Sequence, residues 1–170
     1  MQEIEHKYLT TSRDFEALAT PTYYRQGYIP TVNGMTVRIR IARTQGYITF
    51  KDHAKSLTRH EFEYPIPVAD AEQMLTLMCS TPQIMKQRYV IPATGGHLPD
   101  GTTVEGLHWE VDVFMGDNEG LVVAEIEVPS EDTRYDIPSW IGAEVTGDHR
   151  YYNSALTTHP FKAWDNDTKK

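Results

Sequence analysis

Apolar and polar positions alternate with period two over most of this chain. In residues 22–29, Tyr24, Gln26 and Tyr28 share one face, with Tyr23 and Arg25 on the other. Residues 35–42 set Arg38 and Arg40 against Val37, Ile39 and Ile41. Successive side chains of a strand point to opposite faces, so alternation of this length predicts strands. The same pattern predicts strands over residues 1–7, 47–51, 58–66, 84–91, 104–114 and 121–128, with turns at Asn33-Gly34, Gln45-Gly46 and Asn118-Glu119-Gly120. The period becomes helical in two places. One is Phe15, Leu18 and Ala19; the other is Val68, Ala71, Leu75 and Met78 within residues 68–79, ahead of Thr81-Pro82. Residues 92–102 hold Gly95-Gly96 and Pro99-Asp100-Gly101 and read as a loop. Beyond Pro129 the pattern predicts no strand and one short helix over residues 151–158.

Eight strands joined by turns and short helices pair most economically as an antiparallel meander, and eight are enough to close a barrel. The expected fold is therefore mainly β (α+β): a closed eight-stranded antiparallel β-barrel. The charged faces decide which side is inside. They are sorted, with Arg38 and Arg40, Lys51, and Lys86 and Arg88 on some strands and Glu61 and Glu63, Glu110 and Asp112, and Glu125 and Glu127 on others. Exposed strand faces usually mix their polar residues. The opposite faces are aromatic and rich in Ile and Val, and the helices and a C-terminal segment are available to cover them. A charged lumen with helices packed outside accounts for both facts.

Composition narrows the class. The 170 residues suffice for one domain, expected over residues 1–160, and residues 161–170 form a polar tail. A formal charge of −8 argues against general nucleic-acid binding, and no apolar run approaches the length of a membrane span. Cys79 is the only cysteine, so no internal disulfide forms and a cytoplasmic location is the default. The seven histidines show no metal-binding spacing, and there is no Gly-rich phosphate loop.

The first strand carries the sharpest chemistry. Glu3, Glu5 and Lys7 fall on one side of it. A hard divalent cation suits the carboxylates and a bound polyanion suits the lysine; a solvated face with an incidental ion pair is the plainer alternative. Together with the charged faces of the later strands, this stretch resembles the CYTH proteins, or triphosphate tunnel metalloenzymes. Their signature E-x-E-x-K stands here as Glu3-Ile4-Glu5-His6-Lys7. The resemblance continues in order through Val37-Arg38-Ile39-Arg40, Thr49-Phe50-Lys51, Glu61-Phe62-Glu63 and Lys86-Gln87-Arg88-Tyr89. It ends in Glu110-Val111-Asp112, Ala124-Glu125-Ile126-Glu127 and Gly147-Asp148, and the run Gly147-Asp148-His149-Arg150-Tyr151-Tyr152-Asn153 is most similar to the compact bacterial branch.

The resemblance implies an eight-stranded tunnel that binds a triphosphate-containing small molecule with Mg²⁺ or Mn²⁺. It implies metal ligation by Glu3, Glu5 and Glu127, with Glu125 as a further candidate. It implies a phosphate clamp of Arg38, Arg40, Lys51, Lys86 and Arg88 with Lys7, and Lys7 with Tyr28 as the catalytic pair. Tyr28 would serve as general base if nearby cations lowered its pKa; stacking or a core contact is its other role. Glu61, Glu63, Glu110, Asp112 and Asp148 remain either supports for the cations or ligands of a second metal. The implied activity is hydrolysis of inorganic tripolyphosphate to phosphate and pyrophosphate. A class IV-type adenylyl cyclase, a thiamine triphosphatase and a non-catalytic polyphosphate-binding sensor are the alternatives. Helices, or a second copy of the chain in a homodimer, would cover the apolar outer faces.

Overall fold

The computed structural model describes residues 4–32, 34–51 and 60–165. Nine described strands form one antiparallel sheet. They are β1 (Ile4–Thr10), β2 (Thr22–Ile29), β3 (Thr36–Ala42), β4 (Gln45–Lys51), β5 (Glu61–Ile66), β6 (Ile84–Pro92), β7 (His108–Phe114), β8 (Val122–Val128) and β9 (Ile141–Glu144). The hydrogen-bonded order is β5-β4-β3-β2-β6-β7-β8-β1-β9. Among the described residues the ladder begins at β5 and ends at β9 without pairing the two, so they do not form the expected closed eight-stranded ring of hydrogen bonds. No helix among them is long and apolar enough to cross a membrane.

The ninth strand corrects the expectation that none lies beyond Pro129. β9 has only four residues, too few for alternation to register, and it exists because β1 offers it a free edge. Tyr8 pairs with Glu144 and Thr10 with Ile141, with a register shift between them. Other boundaries move for local reasons. The turn expected at Gln45-Gly46 falls two residues earlier, on Arg43 and Thr44, with Arg43 at φ 54°. Asn33 of the Asn33-Gly34 turn lies outside the described residues, while Gly34 has φ 71°. The seventh strand starts at His108, after Gly106 has taken φ 78° in the preceding loop.

The outer face of the sheet is apolar and covered in three places. Phe15, on a single 3-10 turn (Asp14–Ala17), packs with Tyr89, Trp109 and Trp140 over β6–β8. Phe15 to Tyr89 and Trp109 to Trp140 meet edge-on, the geometry ring quadrupoles favour. The C-terminal segment sets Tyr151, Leu156 and Trp164 against Ile84, Phe114, Leu121 and Val123. It contains a 3-10 turn (His149–Tyr151) and the four-residue helix α2 (Asn153–Leu156), where one helix was expected.

The third cover is α1 (Val68–Leu77), which lays Ala71 and Leu75 on Ile39. The sequence stripe runs one turn too far, because Met78 is 54% exposed past the helix end. Beyond α1, the edge residues Phe62 and Tyr64 stay more than half exposed.

Gly46 explains how α1 comes so close. A Cβ placed there would lie 2.8 Å from the Cβ of Ala71 and 3.0 Å from the carbonyl of Ile66. Gly46→Ala should therefore lower stability by about 1–3 kcal/mol through overpacking. That is a fall of roughly 2–4 °C per kcal/mol in thermal unfolding for a domain of this size. An unchanged melting temperature would mean that the helix moves aside at no cost.

Candidate functional site

The inner face of the sheet lines a cavity of about 1090 Å³ to which all eight strands from β1 to β8 contribute. Alternation puts the side chains there: Lys7, Tyr28, Arg38, Arg40, Lys51, Lys86 and Arg88 all reach it, as do Glu5, Glu61, Glu63, Glu110, Glu125 and Glu127. Glu3 lies outside the described residues. Asp112 and Asp148 do not line the cavity. Asp112 is fully buried behind it, and Asp148 turns away to pair with Arg150 and cap a 3-10 turn.

The cations and carboxylates are tied into two groups. The first joins β3, β4 and β5. Arg40 Nη2 donates to Glu63 Oε1 at 2.8 Å and Arg38 Nη2 to Glu63 Oε2 at 3.2 Å. The buried Thr49 hydroxyl donates to the same Oε2 at 2.7 Å, and Lys51 Nζ pairs with Glu61 at 2.6 Å. Partial burial alone would raise the pKa of Glu63, but the Thr49 bond and both arginines hold it below the usual carboxylate range. The Nε donors of Arg38 and Arg40 are buried and make no bond to a described residue.

The second group joins β6, β7, β8 and β1. Lys86 Nζ donates to Asp112 Oδ2 at 2.5 Å, while Arg88 forks onto both Asp112 oxygens at 2.6 Å through Nε and Nη2. Arg88 also pairs with Glu110 and reaches Glu125 at 3.3 Å. Lys7 Nζ donates to Glu125 Oε1 at 2.5 Å and pairs with Glu5. Burial alone would depress the pKa of Lys7, yet Glu125 and Glu5 outweigh it and raise it, so Lys7 keeps its proton. Burial, then Glu125, pushes the Glu5 carboxyl up.

Glu5 sits directly opposite Glu127 in the β1–β8 register. Like charges facing each other across strands are unfavourable unless a cation lies between them. Oxygen donors in that arrangement fit a hard divalent ion. Among the described residues, no three acidic, histidine or cysteine groups already converge as a complete ligand set.

Tyr28 departs from expectation. Gln26 Nε2 donates to its hydroxyl at 3.2 Å. Burial pushes its pKa up, and Arg38 and Lys7 offset this only in part. The cations are present, as the sequence suggested, but desolvation outweighs them.

Some lining residues were not expected in the site. Tyr152, Asn153 and Ser154 reach the cavity from the C-terminal segment, within the stretch expected as one short helix, and the residue order Gly147 to Asn153 is the signal that could have pointed to the first two. Asn153 Oδ1 accepts from Lys86 at 3.5 Å, and the Tyr152 ring lies 5.7 Å from Lys7 Nζ. Thr146, just past β9, accepts the backbone N–H of Lys7 at 3.0 Å. Tyr24 and Gln26 were legible, since they share the face of Tyr28.

A family model for the CYTH domain matches residues 1–157. The chain belongs to the CYTH domain family. It is 43% identical over 161 residues to an inorganic triphosphatase of Acetivibrio thermocellus, across 95% of this chain and 96% of that protein. An inorganic triphosphatase of Nitrosomonas europaea is 38% identical over 160 residues, across 92% of this chain and 97% of that one. The crystal structure of the inorganic triphosphatase NE1496 is similar at a TM-score of 0.65 and 31% identity, covering 92% of this chain and 95% of that one. In this CYTH chain the basic residues anticipated from the signature all line the cavity.

The buried network yields a stability test. Asp112→Asn leaves Lys86 and Arg88 facing an uncharged group, and breaking a buried pair in this way costs about 3–5 kcal/mol. The Asp112 pKa is depressed: burial would raise it, but Arg88 and Lys86 bring it to about 2. Its contribution is therefore complete above the unfolded-state value of about 3.9 and is lost as pH falls toward the folded one. Denaturant unfolding of wild type and Asp112→Asn at pH 7 and pH 3 should show the gap narrowing at the lower pH. A gap that is small at pH 7, or that widens in acid, would show that the network does not stabilise the fold.

Proposed function

We propose that this CYTH chain is a divalent-metal-dependent hydrolase that cleaves inorganic tripolyphosphate to phosphate and pyrophosphate, with the curled sheet acting as the wall of a tunnel around the substrate. The observation that carries this is the lining: six cationic side chains from four strands converge on one cavity. Both curated relatives bear the name of that activity.

Among the described residues, the lining sets those six cations against seven acidic side chains. Without a bound cation the cavity is not net positive, so a polyanion is expected to bind together with metal. We assign Glu5 and Glu127 as oxygen donors to Mg²⁺ or Mn²⁺, joined by Glu3. Glu125 is already engaged by Lys7 and Arg88 and serves as their tie. When bound, the ion neutralises phosphoryl oxygens and makes water more acidic.

The protein's own groups supply the rest. Arg38 and Arg40 fork onto phosphate oxygens, while Lys51, Lys86 and Arg88 add charge along the chain of phosphates. Water attacks the terminal phosphorus as the bond from that phosphorus to the bridging oxygen breaks; pyrophosphate leaves, and the water's proton passes to an oxygen of the transferring phosphoryl group, so no protein base is required. Lys7, which stays protonated, stabilises the charge that spreads over the transferring group. Tyr28 also keeps its proton at neutral pH, so its role in this reading is to orient the attacking water. Transfer of this kind needs alignment and charge stabilisation more than a strong base.

Three variants test the assignment. With Mg²⁺ or Mn²⁺, the wild type should release phosphate from tripolyphosphate. Glu5→Gln should lose turnover while keeping its thermal unfolding transition, and full activity at modest metal would remove Glu5 from the donor set. Arg40→Ala should lower kcat/KM roughly ten- to a hundredfold, since charge-assisted bonds contribute about 1.5–3 kcal/mol each. Tyr28→Phe should lower kcat with little change in KM. If the phenylalanine variant turns over at the wild-type rate, the hydroxyl has no part in the chemistry.

A further inference from the structure

Tyr24 lies on β2, the strand between β3 and β6. Arg40 on β3 pairs with Gln26, two residues after Tyr24, and Arg88 on β6 pairs with Thr22, two residues before it. Tyr24 is therefore the diagonal neighbour of both arginines, within reach of an aromatic side chain. The rings and guanidiniums do meet: Arg40 Cζ is 5.7 Å from the Tyr24 ring centre and Arg88 Cζ is 5.5 Å from it. Tyr47 stands 5.3 Å from Arg40, so that guanidinium has two rings beside it. The Tyr24 hydroxyl makes no hydrogen bond to a described residue, which leaves the ring as the part that works. The carboxylates do not set the spacing between these arginines. Glu63 holds Arg40, whereas Glu110, Asp112 and Glu125 hold Arg88.

We propose that Tyr24 is a positioning residue whose ring, shared by Arg40 and Arg88, fixes the distance between the two halves of the phosphate clamp. The proposal rests on the clamp assigned under the proposed function and adds a residue that touches the arginines instead of the substrate. A cation over an aromatic face is stabilised electrostatically, and the ring restricts where each guanidinium can aim its donors. Loss of the ring should leave each arginine charged and tied to its own carboxylates, with the contact that sets the distance between the two groups removed.

The test is calorimetric binding of the product pyrophosphate with Mg²⁺ present, so that the cavity has the cation it needs and no turnover occurs, alongside turnover of tripolyphosphate with Mg²⁺. Tyr24→Leu should weaken binding on the order of three- to thirtyfold with its melting temperature preserved, and should raise KM more than it lowers kcat. Tyr24→Phe should restore affinity to within roughly threefold of wild type, because it keeps the ring. In the Tyr24→Leu background Arg40→Ala should cost less than it does alone, since the two act through one contact. Tyr24→Met serves if the leucine variant loses its fold.

Wild-type affinity in Tyr24→Leu, an equal loss in Tyr24→Phe, or additive Tyr24 and Arg40 effects would each overturn the proposal. A wild type that binds pyrophosphate with Mg²⁺ but does not cleave tripolyphosphate would overturn the hydrolase reading, and the ring effect on binding would still stand.

Discussion

One buried carboxylate holds the centre of this sheet together. Asp112 has no solvent around it and receives Lys86 from one direction and both ends of the Arg88 fork from another. Two cations and one anion in such a place are tolerable only because their remaining donors find further acceptors, and Glu110, Glu125 and Asn153 supply those. The arrangement pins β6 to β7 in the register that pairs Arg88 with Asp112. It also fixes the heads of two long side chains that would otherwise sample many rotamers, so they need less reordering when an anion arrives.

The same logic recurs at the other end of the cavity with less burial. Glu63 ties two arginines by Nη2 and leaves their Nε donors unbonded, so the carboxylate orients the forks without filling them. Acidic residues that look wasteful in an anion site thus act as internal counterions. They let the chain fold with its cations side by side, and they leave a cavity whose net charge favours a metal-bound substrate over a bare one.

Much of this was legible from period-two alternation alone. It assigned Arg38, Arg40, Lys51, Lys86 and Arg88 to the faces of their strands that line the cavity. What alternation could not see was anything set by non-local packing. β9 is four residues long and is created by the edge of β1. The end of α1 depends on where the sheet beneath it stops, so the helical stripe overran at Met78. The motif around Asp148 has the right composition, but the backbone turns there and gives the carboxylate to Arg150. For Tyr28, the neighbouring cations could be inferred from strand faces, whereas the desolvation that outweighs them depends on how the whole cavity closes around the ring. Tyr152 and Asn153 arrive from the C-terminal segment, and strand alternation says nothing of where that segment folds back onto the sheet.

Among the described residues β5 stands at the end of the ladder, and that edge bears on how the molecule behaves among its own copies. An exposed edge strand presents free backbone donors and acceptors and is a template for adding another chain. Here Phe62 and Tyr64 make the outer face of that edge sticky. Its inner face carries Glu61 and Glu63, committed to Lys51 and Arg40, and Pro65 removes one backbone donor near its end. Any strand docking in register beside β5 would have to set its own inward side chains against those carboxylates. The carboxylates that pair with Arg40 and Lys51 inside the cavity therefore also stand guard at this edge, and a change that neutralised them would alter the cavity and the edge together.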